Sequence, residues 1–188
     1  MTETAPHSRR YEWLVLLILS LVNGIVALDR LAVNFLSPYF FDELHLTNTQ
    51  QGLLSSALSV AIAVSGFVVA AAADRTGQQK RILIGMMILF SLLSAGAGLA
   101  TSFAMLFTAR LALGASEGPL VPLTQTIMHG ASRPQRRGFN MGAMQIAGAF
   151  AIGAMIGPRL MVGLAENYGW RNAFFVSAVP GLISAALV

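Results

Sequence analysis

Cysteine is absent from the 188 residues, which removes disulfide staples, thiolate nucleophiles and thiolate metal sites from consideration. Charge is scarce as well: only 11% of residues are Asp, Glu, Lys or Arg, against about 25% in an ordinary soluble domain. No low-complexity tract and no soluble domain can be picked out. Histidine occurs three times, at His7, His45 and His129, each isolated at the end of an apolar block. Such spacing builds no metal site and no nucleophile with an adjacent base, so neither enzyme chemistry nor a metal or cofactor is expected. The net charge of +4 does not point to nucleic acid, because the basic residues sit between apolar blocks and not on an aromatic-bearing domain.

What fills the chain is apolar. Residues of the AVILMFWYC class make up 55% of it, gathered in six blocks at about 13–36, 53–73, 82–100, 103–127, 141–164 and 174–188. At about 1.5 Å per residue, each of the first five can cross a hydrocarbon core of about 30 Å. The sixth has about 15 residues before the chain stops, short of the roughly 20 a span needs, and reads as cut off. Bare backbone polar groups are not tolerated in lipid, so blocks of this length read as helices, and the short alternating segments of a membrane barrel are missing. Glycine and alanine recur through the blocks, which lets helices approach closely. The expected fold is an all-α membrane protein, a six-transmembrane-helix bundle spanning 1–188.

Orientation follows from the loops. Arg9 and Arg10 precede the first block, Arg75, Lys80 and Arg81 separate the second and third, and Arg133, Arg136 and Arg137 separate the fourth and fifth. The alternate loops carry Asp42, Glu43, His45, Glu166 and a single arginine, Arg171. Eight basic residues against one place both ends of the segment in the cytoplasm, as a multi-pass protein of the cell inner membrane. The Arg-Arg start resembles a signal peptide, but the apolar stretch is too long and contains Asp29-Arg30, so cleavage is not expected.

Ionisable residues inside a span are costly unless paired or wetted, and they mark function by default. Here they gather in the first and fourth spans. Asp29 and Arg30 are adjacent, so they differ by about 100° in direction and cannot both face one neighbour squarely. They read either as a structural pair or as a substrate-binding or proton-relay pair. Arg110 and Glu117 stand about two turns apart on one face, which Gly114 and Gly118 leave open. A carboxylate held out of water can carry a proton, and an arginine can hold a carboxylate substrate through its fork. The alternative is an interhelical ion pair between Arg30 and Glu117 without transport. Arg159 near the end of the fifth span can snorkel to the interface. Gln145, polar at the inner part of that span, is a weaker candidate for a cavity residue.

The turn after the second block reads Ala70-Ala71-Ala72-Ala73-Asp74-Arg75-Thr76-Gly77-Gln78-Gln79-Lys80-Arg81. It resembles the signature loop of the major facilitator superfamily: Asp74, Arg75, Gly77 and Lys80 match, while Ala70 replaces a glycine and Gln79 a basic residue. Gly77 permits the tight reversal, Asp74 is expected to favour a helix N-terminus, and the basic residues hold the loop at the anionic leaflet. The resemblance extends to Arg110-x-x-x-Gly114, to Gly153…Gly157-Pro158 and to Gly169-Trp170-Arg171-Asn172-Ala173-Phe174. It implies the N-terminal half of a twelve-helix fold built as a three-plus-three inverted repeat, with Asp74, Arg75, Gly77 and Lys80 forming a conformational gating loop.

Asp29-Arg30 together with Arg110-x-x-x-Gly114-x-x-Glu117-Gly118-x-x-x-Pro122 looks like the anion:cation symporter group within that superfamily. A tyrosine often stands two residues before the aspartate in that group; here the position is Ala27. The resemblance implies proton-coupled symport of a small organic anion, such as a sugar acid, hexuronate or other carboxylate, driven by the proton gradient. Arg30 and Arg110, with Gln145, would bind substrate, and Asp29 and Glu117 would handle protons. The second bundle of such a carrier is not in the chain, so a fragment, a truncation or an assembly of two copies is expected, and the polypeptide alone would not transport. The alternative is a non-transporting structural or regulatory membrane domain.

Overall fold

The computed structural model describes residues 9–188, and among them the secondary structure is helical with no strand. His7 and Ser8, which lead the basic N-terminal segment, lie outside the described residues. The helices are α1 (Arg9–Phe40), α2 (Asn48–Thr76), α3 (Gln79–Ala97), α4 (Phe103–Glu117), α5 (Leu120–Ala131), α6 (Arg137–Gln145), α7 (Gly157–Tyr168) and α8 (Trp170–Leu187). A π-helical segment, Ile146–Ile156, joins α6 to α7, so that Pro134–Tyr168 is one continuous helical span of 35 residues. Four of the helical stretches are long and apolar enough to cross a membrane. α4 with α5, and α8, complete the six.

The spans overrun the apolar blocks read from the sequence. α1 runs from Arg9 through Pro38 to Phe40, beyond 13–36, because helical hydrogen bonding does not stop where the side chains turn polar. The sixth span begins at Trp170 and has 18 residues, longer than the block of about 15 counted from Phe174. The fourth is interrupted where Gly118 and Pro119 separate α4 from α5. Pro119 and Pro122 have no N–H to return to the preceding turn, which loosens the ladder there.

Local chemistry fixes the turns. Thr47 and Gln50 form a reciprocal capping box at the start of α2: Gln50 N–H donates to Thr47 Oγ1 at 3.2 Å and Thr47 N–H to Gln50 Oε1 at 2.9 Å. Gly77 closes α2 with φ of 67°, in the left-handed region that glycine enters without strain. Asp74, however, sits in the last turn of α2 and is exposed, not at a helix N-terminus: the reversal comes three residues later, and α3 starts only at Gln79.

Packing follows small residues. α1 lies along the π segment, α2 along α4, and α3 along α8. Exchanging the first three spans with the last three leaves these pairings unchanged, which is the symmetry of a three-plus-three repeat. Gly148, Gly153 and Gly157 lie against Ser20, Gly24, Ala27 and Leu28 of α1, while Gly114 and Gly118 lie against Leu58, Ala61, Ile62 and Ser65 of α2. The outward faces are apolar, with Phe67 80% exposed, and the polar side chains Asn23, Asp29, Arg110, Glu117, Thr124 and Asn140 are buried. That is the inside-out distribution a lipid solvent selects.

At the end opposite the basic loops, Arg171 donates to Glu43 Oε1 at 2.6 Å and to the Ala100 carbonyl at 3.2 Å, and Trp170 Nε1 donates to Glu43 Oε2 at 2.8 Å. These bonds from Trp170 and Arg171 hold the Glu43 carboxyl below its ordinary range. The latch joins three interhelical turns.

The glycine seam predicts a stability difference. A Cβ at Gly148 would run into the Ser20 carbonyl and the Asn23 side chain, whereas one at Gly163 meets open space. Gly148→Ala should therefore cost about 1–3 kcal/mol and lower the unfolding midpoint of the detergent-solubilised protein, with Gly163→Ala neutral or slightly stabilising.

Candidate functional site

Register between α1 and α4–α5 comes from one polar bond. Asn23 Nδ2 donates to Thr124 Oγ1 at 3.1 Å, across antiparallel helices. Seven residues on from Asn23 is Arg30, and seven back from Thr124 is Glu117, so these two arrive level. Arg30 Nε donates to Glu117 Oε1 at 2.7 Å and Arg30 Nη2 approaches the same oxygen at 2.5 Å. Glu117 is fully buried while the Arg30 side chain is 45% exposed. Glu117 Oε2 has no hydrogen-bond partner.

Asp29 turns the other way. Its Oδ1 accepts from Ser94 Oγ of α3 at 2.5 Å, and Ser94 in turn lies 3.3 Å from Ser177 Oγ of α8. Arg110 Nη1 reaches Asp29 Oδ2 at 3.5 Å and the Asp29 carbonyl at 3.4 Å. Both side chains of this pair are 1% exposed. The Arg110 guanidinium also stands 5.7 Å from the centre of the Phe174 ring, within cation–π range. Its Nε and Nη2 have no partner. Buried arginine donors left unmade are costly, and an anion is the group that would satisfy them.

Arg30 and Arg110 open onto one cleft of about 150 Å³ between α1, α2 and α4. Leu54 and Leu58 form part of its wall, and Asn34, Ser55 and Ser59 contribute polar groups. The structure thus brings together Asp29, Arg30, Arg110 and Glu117 from two helices as two crossed ion pairs.

Gln145 does not join them. The π segment packs parallel to α1 with Gly148 beside Ser20 and Gly24, which leaves Gln145 opposite roughly residue 19, about 15 Å along the axis from Asp29. It is half-buried and lines neither this cleft nor the one beside Pro38. Asp74, Arg75, Gly77 and Lys80 lie together on the exposed α2–α3 turn, remote from the charges. Arg159 is exposed near the start of α7. Among the described residues, no group of three His, Asp or Glu could hold a metal ion.

Sequence reasoning passed over Ser94, Ser177, Asn34, Ser55 and Ser59. A serine in a membrane helix satisfies itself on the preceding turn, as Ser91 does with the Met87 carbonyl at 2.8 Å, so its presence signals little until a neighbour is known.

The two pairs differ in the cost of breaking them. Asp29→Asn strands a buried guanidinium and should destabilise by about 3–5 kcal/mol, whereas Asp29→Asn with Arg110→Met recovers most of that loss. Thermal unfolding in detergent measures both; equal melting of the single and double variants would remove the pair from the account of stability.

A family model described as Major Facilitator Superfamily matches residues 19–188. A hexuronate transporter of Bacillus subtilis is 33% identical over 174 residues, covering 92% of this chain and 40% of the relative. A probable L-galactonate transporter of Escherichia coli is 25% identical, with 98% of this chain and 40% of the relative aligned. The chain therefore spans about two fifths of the length of these relatives. The crystal structure of a bacterial homolog to the human lysosomal transporter Spinster, inward-facing and unoccupied, superposes with a TM-score of 0.84. It covers 96% of this chain and 43% of that one, at 23% identity, a likeness of fold.

Proposed function

The chain belongs to the major facilitator superfamily, whose model matches 19–188, and from that premise we propose that it is the anion-binding bundle of a proton-coupled symporter for small organic acids. One observation carries the reading: the Arg110 guanidinium is 1% exposed, lies at the cleft and keeps two nitrogens unpartnered beside Arg30. A purely structural pairing gives no reason for those donors. The relatives that transport a hexuronate and, by its printed name, L-galactonate favour a hydroxylated carboxylate here. Asn34, Ser55 and Ser59 supply partners for hydroxyl groups, and Arg110 with Arg30 a seat for the carboxylate.

Proton coupling follows from charge balance. Asp29 and Glu117 offset Arg30 and Arg110, so the empty site sums to zero. An entering anion makes it negative in a medium that penalises net charge by several kcal/mol, and one proton restores neutrality. Glu117 is the group for it. Its Oε2 is free, and its partner Arg30 is half-exposed to the cleft, so protonation releases Arg30 to the substrate. Asp29, held by both Ser94 and Arg110, orients Arg110 and follows in the cycle.

Alternating access then needs a second six-helix bundle to close the cleft from the far side, supplied by further chain or by another copy. The basic end, carrying Arg9, Arg10, Arg75, Lys80, Arg81, Arg133, Arg136 and Arg137, would face the cytoplasm at the inner membrane. The gating role of Asp74, Arg75, Gly77 and Lys80 belongs to that contact between bundles, and their exposure leaves them free for it. A non-transporting membrane domain is the competing reading, since both ion pairs also tie α1 to α4.

Uptake of labelled glucuronate into proteoliposomes holding the complete protein, with an imposed pH gradient, separates these. Glu117→Gln should abolish gradient-driven uptake while counterflow survives; unchanged pH dependence would defeat the proton role. Arg110→Lys, which loses the fork, should raise the half-saturation concentration about ten- to a hundredfold, for a charged hydrogen bond of about 1.5–3 kcal/mol. Equal transport of neutral glucose would overturn the anion assignment.

A further inference from the structure

A second set of arginines at the basic end takes no part in the cleft. The Arg136 guanidinium lies 5.4 Å from the centre of the Trp13 ring and 5.8 Å from that of Phe139, between the start of α1 and the start of α6. Both rings face outward, Trp13 being 52% and Phe139 63% exposed, on a surface that also carries Leu14 and Leu17. Such amphipathic rings sit at the level of lipid headgroups.

The charge around them is unbalanced. Glu12, 2% exposed, is clamped by Asn140 Nδ2, which donates to its Oε1 at 2.5 Å and lies 2.9 Å from Ser132 Oγ. Arg133 Nε lies 3.9 Å from Glu12 Oε2, too far to hydrogen-bond. Arg133 Nε and Arg137 Nε are buried and make no hydrogen bond. Arg9 and Arg10 stand one helical turn before Trp13, on its side of α1. Five arginines, Arg9, Arg10, Arg133, Arg136 and Arg137, thus share the starts of α1 and α6 with one carboxylate, Glu12. The α6 N-terminus, which adds positive dipole, lacks a side-chain cap.

We infer that Arg133, Arg136 and Arg137, with Trp13 and Phe139, form a binding site for the phosphate headgroup of an anionic phospholipid. The juxtaposition selects a lipid over a free anion. The outer parts of the guanidiniums, with the Arg133 side chain 38% exposed, take the phosphate oxygens, and the rings and Leu14 and Leu17 take the glycerol and upper acyl chain. Arg136, stacked on two rings, keeps its charge at the headgroup plane. The site is independent of the transport reading, because no residue in it touches the cleft.

Trp13 provides the probe. Trp170, the other tryptophan of these 188 residues, lies at the opposite end, and the emission of every tryptophan but Trp13 is subtracted with the Trp13→Phe variant. The complete protein is placed in phosphatidylcholine vesicles containing a fraction of brominated phosphatidylglycerol or brominated phosphatidylcholine, at matched ionic strength. Brominated phosphatidylglycerol should quench Trp13 more strongly. Arg136→Gln should reduce that preference about fivefold, as should Arg133→Gln, matching the free energy of one arginine at an anionic surface. Arg159→Gln, at the other end of its span, should leave it unchanged. Equal quenching of the unsubstituted protein by the two lipids, or a preference retained in Arg136→Gln, overturns the site. Abolition of the preference by millimolar inorganic phosphate, but not by chloride of the same ionic strength, overturns the choice of lipid over free phosphate.

Discussion

A charge placed in an apolar medium must find an opposite charge, and this requirement organises the centre of the molecule. Asp29 and Arg30 are neighbours in sequence, which is an awkward place for partners, since adjacent helical positions point apart. The bundle resolves this by supplying each with a counterion from α4: Arg110 for Asp29 and Glu117 for Arg30. The crossing makes α1 and α4 interdependent. It also leaves each pair incomplete in a different way, since Glu117 has a free oxygen and Arg110 two free nitrogens. A fully satisfied network would be a strut. This one keeps a spare acceptor and spare donors beside a cleft, so it is not a strut alone.

The frame around those charges is rigid for a separate reason. Glycines on the π segment let its backbone approach α1 at Ser20 and Gly24, and glycines on α4 do the same against α2. Between apolar helices in lipid there is little hydrophobic drive, so close packing carries association, and a missing side chain is what permits it. The two seams are counterparts under exchange of the first and last three spans.

Much of this was legible from residues alone, and the reasons are physical. Six blocks announced six spans because a bilayer enforces their length, and Asp29, Arg30, Arg110 and Glu117 stood out because lipid makes a charge expensive. The exact partners were less visible, although the Arg30–Glu117 pairing was among the alternatives. Gln145 was noticed for its polarity, but only the axial register between α1 and the π segment shows how far it lies from Asp29. Asp74 was misplaced with respect to a helix end because the turn begins at Gly77. Ser94 left no trace at all, since its role depends wholly on α3 packing beside Asp29. The break between α4 and α5 was written in Pro119 and Pro122, but a long apolar run masked it.

The two ends of the bundle solve the membrane boundary differently, and the difference bears on how the centre works. At the end bearing Glu43, one carboxylate gathers Trp170 and Arg171, and Arg171 also holds the Ala100 carbonyl, so the turns are tied to one another. At the basic end, Arg133, Arg136 and Arg137 outnumber Glu12, and the Nε atoms of Arg133 and Arg137 make no hydrogen bond. A latched end and an arginine-rich end thus bracket the same helices. The cleft between α1, α2 and α4, where Arg30 and Arg110 meet, lies between these two ends.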